Sequence, residues 1–427
     1  MLHQRNINII IEIHVFVKMF FYKIVDLFSG AGGLTFGFYY KLVNGQFVKR
    51  EDVEFVFANE YAPQAVKAFK KNYGDDIPMI AGDICDITNE EIDKRLSGKE
   101  VDVIIGGPPC QSFSTVGQRK YDDRAKLSHQ YLRLLEKIKP KMFLFENVKG
   151  ILSMREIFYK TDENGETIYE EIVKHRGEKI YTKKEPIVDH YGDLVMDVLK
   201  REFDRIGYRI VHKTMVAAKF GVPQNRERVF IIGIRKDLDF DWTYPEGDCG
   251  KPLSIFSAIS DLPPVGEGQT ITEYTLEPMN DYQRLMRGTC QTITQHFCGH
   301  YGDKIRTVIQ NVAEGEGKND FNAKVKSGLI DKKYYLTSGY GNTYGRLERN
   351  KPSTTITNNL ATPSALRCIH YEQHRALTPR EGARIQSFPD WYHFEGNRTD
   401  VARQVGNAVP PLMAIAFANK IIETLEK

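Results

Sequence analysis

The chain is poor in cysteine and close to neutral. Six cysteines occur among 427 residues, and no two form a Cys-x-x-Cys pair. That argues against a disulfide framework and for a reducing, cytoplasmic setting. A net charge of +3 neither demands nor excludes a nucleic-acid partner. Local basic clusters such as Gln118-Arg119-Lys120 would serve one. The apolar run from Ile7 to Val17 is too short to span a bilayer. It is interrupted by Glu12 and His14 and lacks a small-residue cleavage site, so no membrane is expected. Cys290, His296, Cys298 and His300 fit no common zinc spacing and read as ordinary fold residues, so no metal is expected. No internal repeat is visible.

What is present is the composition of a soluble globular protein, 41% hydrophobic and 27% charged. The length allows two or three domains. Ile9, Ile11, Ile13, Val15 and Val17 alternate as in a strand. The alternative is that translation starts at Met19, which makes residues 1–18 an extension.

From Tyr22 to about Arg235, apolar β-branched runs alternate with helical periodicity. Strands are expected at Lys23–Phe28, Val53–Ala58 (ending near Glu60), Ile77–Ala81, Val101–Ile105, Met142–Phe145, Ile210–Ala217 and Val229–Ile234. Helices are expected at Ala62–Tyr73, around Tyr131 to Ile138 before Pro140, and from Leu194 with Asp193 as its cap. The alternation predicts a doubly wound, Rossmann-like α/β sheet in a catalytic domain of residues 19–240. The Lys- and Glu-rich stretch 156–190 breaks the pattern and reads as an inserted excursion or hairpin. Residues 241–370 are turn-rich, with one credible helix on Ile305, Val308, Ile309 and Val312. They read as a smaller, irregular second domain. Helices at Glu381–Gln386 and Leu412–Leu425, within 371–427, return the chain to the first domain.

Cys110 follows the run Val101-Asp102-Val103-Ile104-Ile105 and the turn Gly106-Gly107-Pro108-Pro109. A rigid turn after a buried strand would hold its thiol at the sheet's C-terminal edge, where open α/β sheets bind ligands. Such a thiol is a candidate nucleophile, the alternative being a buried structural cysteine. The turn Ser29-Gly30-Ala31-Gly32-Gly33 would let backbone approach a nucleotide-like ligand. Glu60 could take a ribose diol and Asp83 an adenine amino group. Those three features suit NAD equally well.

The motifs taken together resemble the DNA (cytosine-5) methyltransferases. They are Asp26-Leu27-Phe28-Ser29-Gly30-Ala31-Gly32-Gly33; Gly107-Pro108-Pro109-Cys110-Gln111-Ser112; Phe145-Glu146-Asn147-Val148; Gln224-Asn225-Arg226-Glu227-Arg228; Arg375 to Glu381 with Arg384 and Gln386-Ser387-Phe388-Pro389; and Gln404-Val405-Gly406-Asn407-Ala408-Val409-Pro410. They stand in the family's order and run from Val25 nearly to the end. The main departures are the 156–190 insertion and the N-terminal extension, and neither touches a motif.

The resemblance implies an S-adenosylmethionine-dependent enzyme acting on double-stranded DNA, with residues 241–370 as target-recognition domain. By it, Cys110 attacks carbon 6 of a flipped-out cytosine, Glu146 holds the N3 and N4 edge, and Arg228 and Arg226 bind the O2 side and nearby phosphate. Phe28 stacks on adenine, Gly30 and Gly32 line the methionine moiety, Glu60 takes the ribose and Asp83 the adenine amino group. Ile84, Pro109, Asn407 and Val409 complete the cofactor site, and the last motif sets the C-terminal helix beside the first strand. Ser114 and Arg124 would meet DNA from a mobile loop, and Thr355 would support the DNA backbone, the alternatives being a solvated loop and a plain strand. A monomer is expected, with a restriction endonuclease of the same site as candidate partner. A tRNA cytosine-5 methyltransferase, a silent DNA-binding homologue and an NAD-dependent oxidoreductase are the competing readings. The last leaves Cys110, Glu146 and the two arginines unexplained.

Overall fold

The computed structural model describes residues 21–109, 125–176, 179–247 and 250–427. The alternating run before Met19 lies outside them, as do Cys110, Ser114 and Arg124. Seven strands form the central sheet: β1 (Tyr22–Leu27), β2 (Val53–Glu60), β3 (Met79–Ala81), β4 (Val103–Gly106), β5 (Met142–Val148), β6 (Tyr208–Val216) and β7 (Glu227–Arg235). Their order is β6-β7-β5-β4-β1-β2-β3. The pairs from β5 through β4, β1 and β2 to β3 are parallel, and β7 runs antiparallel to both neighbours.

Helices cover both faces: α1 (Gly33–Tyr39), α2 (Pro63–Tyr73), α3 (Ala125–Ile138), α4 (Val195–Arg205), α5 (Pro379–Ile385), α6 (Arg398–Asn407) and α7 (Pro411–Leu425). Successive strand residues point to opposite faces. Ile24, Val103 and Ile105 therefore join Phe36, Phe69 and Phe417 in one core. Val25 and Ile104 join Tyr131, Leu135, Leu199 and Phe203 in the other. Two covered faces explain why Val103-Ile104-Ile105 is apolar at every position and wholly buried.

The last motif reaches the first through close helix contact. The C-terminal helix α7 packs on α1, which itself lies on the sheet. A Cβ at Gly37 would lie 2.2 Å from the carbonyl carbon of Ala414, so the two backbones touch. Gly37→Ala is expected to destabilise the protein by about 1–3 kcal/mol through overpacking, read as a lower urea midpoint. Residues Arg398–Leu425 are apolar and long enough to cross a membrane by composition, but 67% of the most apolar window is buried inside the protein.

Four local readings need correction or extension. Asp193 does not cap α4: Leu194 occupies the N-cap position without a side-chain bond, and Asp193 instead pairs with Arg201 at 2.7 Å. The strand Val188–Leu194 runs straight into the helix, so Asp193 is still extended. Helix α6 was not anticipated, although Asn397 and Asp400 form a capping box at its start. The inserted stretch is a two-tier antiparallel hairpin, with Arg155–Tyr159 against Val188–Leu194 and Tyr169–Arg176 against Lys179–Pro186. Within 241–370 the expected helix spans Asp303–Asn311, and a separate small core gathers Val308, Val312, Phe321, Val325 and Leu336.

Candidate active site

Strand order alone places a crevice. β1 is flanked by β2 on one side and β4 on the other, so the chain's winding reverses there and the loops at their C-terminal ends part. A cavity of about 460 Å³ opens at that point, within the range of small-molecule sites. Its wall follows the sheet. Asp83 and Ile84 come after β3, Glu60 ends β2, Asp26 and Phe28 belong to β1 and its turn, Gly107 and Pro109 follow β4, and Glu146 lies in β5. Helix α6 and its exit close the far side with Asp400, Arg403, Gln404, Asn407, Ala408 and Val409.

The first turn is strained and open. Phe28 sits at φ 59°, a left-handed conformation that a bulky residue keeps only when its surroundings impose it. Gly30 has φ 58°, and a Cβ there would meet nothing within 4 Å, so the space above it is free for a ligand. Gly32 is placed differently from the sequence expectation. It does not line the cavity; it caps α1 at φ 95°, and a Cβ would lie 2.4 Å from the Tyr73 ring. Its role is to admit Tyr73, whose hydroxyl donates to the Gly32 carbonyl at 2.7 Å.

Glu60 ties the turn to β2. Its Oε2 accepts from the Gly30 N–H at 2.8 Å and its Oε1 from the Ala62 N–H at 2.7 Å. Burial raises its pKa, and those backbone donors oppose the rise. Asp83 lines the cavity while its Oδ1 accepts from the Cys85 N–H at 2.9 Å.

The other end of the cavity is built on β5 and β7. Phe230 pairs with Glu146 and Arg228 with Val148, so alternation puts Arg228 and Glu146 on one face. Arg228 Nε lies 2.9 Å from Glu146 Oε1. The two groups form a close, buried ion pair, and no other hydrogen bond to Oε1 is present among the described residues. Burial raises the Glu146 pKa, with Arg228 and then Arg226 pulling it down. Asn147 points the other way, and its Nδ2 donates to the Pro108 carbonyl at 2.9 Å. The turn that leads into Cys110 is thus pinned beside Glu146. Room is tight there, since a Cβ at Gly107 would lie 3.0 Å from Glu146 Oε2.

Arg226 is fully buried, with its pKa pushed down to about 9 by burial first and by Arg228 second. Its Nη1 donates to the Ile356 carbonyl at 3.0 Å, while Nε and Nη2 have no partner among the described residues. Gln224 and Gln386, to which no role was given from sequence, connect four segments. Gln224 donates to Gln386 at 2.8 Å and accepts from the Ile356 N–H at 2.8 Å, and Gln386 donates to the Val405 carbonyl at 2.7 Å. Gln224-Asn225 also pairs in parallel with Ser353-Thr354. Thr355 is thereby brought beside the arginine motif, its hydroxyl donating to the Asn225 carbonyl at 3.4 Å. His296 is buried away from the cavity, its ring nitrogens bonded to Thr378 Oγ1 at 2.9 Å and the Pro263 carbonyl at 2.8 Å. Asp26, Asp400 and Arg403 are cavity residues that sequence reasoning passed over, though Asp26 opens the first quoted motif.

Residues 22–171 and 185–423 match the family model of C-5 cytosine-specific DNA methylases. The unmatched gap falls inside the hairpin. The chain is 32% identical over 403 residues to the Type II methyltransferase M.NgoFVII of Neisseria gonorrhoeae, across 94% of this chain and 86% of that one. It is 31% identical to M.DdeI of Desulfomicrobium norvegicum, across 93% and 88%. Among solved structures it is similar to an E. coli chain described as a DNA modification methyltransferase encoded within a prophage, at TM-score 0.66 and 21% identity over 95% of this chain and 100% of that one. Spodoptera frugiperda DNMT2 follows at TM-score 0.54 and 17% identity over 94% and 99%. At such identities the structural likeness speaks for the fold alone. With the doubly wound sheet, the crevice at its reversal and the motif residues gathered there, these matches make the chain a member of the C-5 cytosine-specific DNA methylases, a DNA cytosine-5 methyltransferase of the restriction-modification type.

Proposed function

We propose that the protein methylates carbon 5 of a cytosine flipped out of a specific double-stranded DNA site, using S-adenosylmethionine and a covalent Cys110–C6 adduct. The observation that carries this reading is the single cavity running from Asp83 and Glu60 to Pro109 and Glu146. It joins an acidic end suited to a nucleoside to a buried carboxyl paired with Arg228. The open space over Gly30 and the acidic lining fit the cofactor, which when bound supplies an electrophilic methyl group. Phe28, Glu60, Asp83, Ile84, Asn407 and Val409 would hold it.

Carbon 5 of cytosine is a poor nucleophile. Addition of the Cys110 thiolate at C6 turns the ring into an enamine that is nucleophilic at C5. Glu146 accepts from the N4 amino group and delivers a proton to N3, so negative charge never fully develops on the ring. Arg228 holds Glu146 and the O2 side, and buried Arg226 braces Ile356 behind it. Attack above the ring plane requires the base outside the stack. Ser114 and Arg124 would close over it, with Thr355 supporting the backbone.

Replacing either Glu60 or Asp83 with Ala is expected to weaken S-adenosylmethionine binding by about 1–3 kcal/mol. Calorimetry on DNA-free protein checks this, and unchanged affinity in both variants would move the cofactor elsewhere. A duplex with 5-fluorocytosine at the target should become covalently linked to the protein. Bisulfite sequencing after expression in a host lacking cytosine methylation would identify the site. DNA is favoured over tRNA because the relatives matched over most of the chain are Type II methyltransferases. A monomer, and an endonuclease cutting the same site, belong to the same proposal.

Sequence choice is assigned to residues 241–370, which hold none of the motifs that bear the chemistry. Turn-rich loops there can reach base edges in the major groove, where all four pairs differ. Exchanging this segment for that of a relative with another specificity should transfer the methylated site. An active hybrid that kept the old site would move recognition to the α/β domain.

A further inference from the structure

The inserted hairpin is anchored at one end and unsupported at the other. Arg155 begins it, nine residues after Glu146, so it leaves β5 at the edge of the sheet that carries the cavity. The proximal tier is fixed to the domain. Glu156 is buried, Phe158 stacks on His190 with ring centroids 4.4 Å apart, and a Cβ at Gly192 would lie 2.6 Å from the Phe158 ring. The Val195 N–H donates to the Met154 carbonyl at 2.9 Å, which joins the two ends of the insertion at α4. The distal tier has no such support. Among the described residues, Tyr169–Arg176 and Lys179–Pro186 pair only with each other. Glu170, Val173, Ile180, Thr182 and Lys183, drawn from both faces, are exposed, Val173 at 56% and Ile180 at 67%. A two-stranded ribbon left alone in water is marginally stable, so this one calls for a partner.

Charge identifies the partner. Directly opposed residues share a face, and faces alternate along each strand. Positions 170, 172, 174 and 176 therefore share a face with 185, 183, 181 and 179. In the sequence that face starts with Glu170 and Glu185 beside the proximal tier and continues with Lys183, Lys174, Arg176 and Lys179 toward the tip. From Lys174 to Lys184 there are five lysines and arginines against one acid, Glu178. The side turn at 162–166 adds Asp162, Glu163 and Glu166 near the root. The order of positions thus runs from acidic at the root to basic at the tip. Cationic positions on a ribbon that starts where the target base would enter match the phosphates of a duplex. Eight residues per strand make the ribbon about 26 Å long, close to the ~34 Å of one helical turn of DNA.

We propose that the distal ribbon is a second DNA-binding element, which lies along the phosphate backbone outside the recognised site and neutralises phosphates through positions 174, 176, 179 and 183. The proposal rests on reading double-stranded DNA as the substrate. The ribbon has no part in the chemistry and none in sequence choice, because phosphate contacts position a protein without reading bases. It adds affinity and a requirement for flanking duplex. Lys183, paired with Glu185 at 3.1 Å, exchanges that exposed carboxylate for a phosphate when DNA binds.

Binding and methyl transfer on two duplexes test this, each carrying the site found by bisulfite sequencing. One has about half a helical turn of flanking DNA on each side and the other about three turns. Replacing residues 160–187 by Asn-Gly joins Tyr159 to Val188, which are already paired, through a tight turn. The trimmed variant should keep kcat and S-adenosylmethionine affinity and bind the short duplex as wild type does. It should lose roughly 10- to 100-fold in affinity for the long duplex, and its slope of log affinity against log salt should be smaller by about 2 to 4. Lys174→Ala/Lys183→Ala, which keeps the ribbon, should lower that slope by about 1 to 2. Lys184→Ala, on the opposite face, should leave it unchanged. Wild-type slopes and wild-type affinity for the long duplex in both ribbon variants would overturn the proposal, as would an equal loss in Lys184→Ala. A dimer seen by sedimentation that the trimmed variant could not form, with slopes unchanged, would overturn it in favour of a second copy of the chain. A wild type that methylated no duplex DNA would remove the substrate reading itself, and the ribbon's role with it.

Discussion

A Cys110→Ala variant is expected to lose methyl transfer by at least about 10,000-fold while its affinity for S-adenosylmethionine stays within about twofold. The loss is large because no described lining residue can add to C6 in its place. Among the described residues the lining around Glu146 offers carboxylates, a proline and glycines, and neither a thiol nor an amine. Cofactor affinity is spared because the cavity is walled by Phe28, Glu60, Asp83 and Val409, with Pro109 the last lining residue before the cysteine. Asn147 holds the Pro108 carbonyl at 2.9 Å, two residues upstream of Cys110. Transfer of labelled methyl groups to duplex DNA measures the loss, and trapping on a 5-fluorocytosine duplex should vanish with it. Turnover by the Ala variant within tenfold of wild type would rule out a covalent mechanism through this residue.

Much of this site is legible in the sequence because its geometry is carried by the backbone. A parallel strand ends, a turn rich in glycine or proline follows, and the next side chain faces the crevice. That rule pointed to the glycine turn with Gly30, to Glu60 and to Asp83, while Phe28 and Pro109 came from the family resemblance; all five line the cavity. Glu146, which the resemblance singled out, lies near the end of β5 and lines the same cavity. The sheet itself was readable because a surface covered on both faces needs apolar residues at every position, as in Val103-Ile104-Ile105.

What escaped was set by contacts between distant segments. Gly32 looked like a ligand glycine, but its constraint comes from Tyr73, 41 residues away. The bridge from Gln224 through Gln386 to Val405 spans three motifs, and each glutamine is unremarkable in its own stretch. Arg384 is similar. In the sequence it is a basic residue in a short helix, yet it is fully buried and bonds Asp261 at 2.9 Å and Asp390 at 2.6 Å. Only the fold reveals that a residue of the irregular segment, Asp261, is its counter-ion. Helix α6 was missed because its apolar face is thin, and Val401, Ala402 and Val405 are its only buried apolar side chains. Its register is fixed instead by Gly406, where a Cβ would meet the Asn358 nitrogen at 2.3 Å. Arg403 and Asn407, one turn apart on that helix, thereby face the cavity together.

Glu146→Gln is expected to lower kcat by about 100- to 10,000-fold with KM for DNA changed by no more than a few-fold. The amide keeps the shape of the carboxyl, and its oxygen still accepts from the cytosine N4 amino group. It cannot deliver a proton to N3. The thiolate adduct would then carry its negative charge unrelieved, and the transition state alone suffers. Burial raises the Glu146 pKa above the usual carboxylate value, and Arg228 at 2.9 Å limits that rise. A raised pKa enlarges the protonated fraction near neutrality, which suits a proton donor. The sign follows for the pH profile. The protonated form is lost as pH rises through the raised pKa, so Glu146 contributes a descending alkaline limb to kcat. That limb should be absent in the Gln variant, whose residual rate has no carboxyl to titrate. Arg228→Ala supplies the complementary test. It removes the strongest charge opposing the burial effect, so the limb should move to higher pH. A Gln variant with wild-type kcat, or a limb that moved to lower pH in Arg228→Ala, would take the proton-donor role away from Glu146.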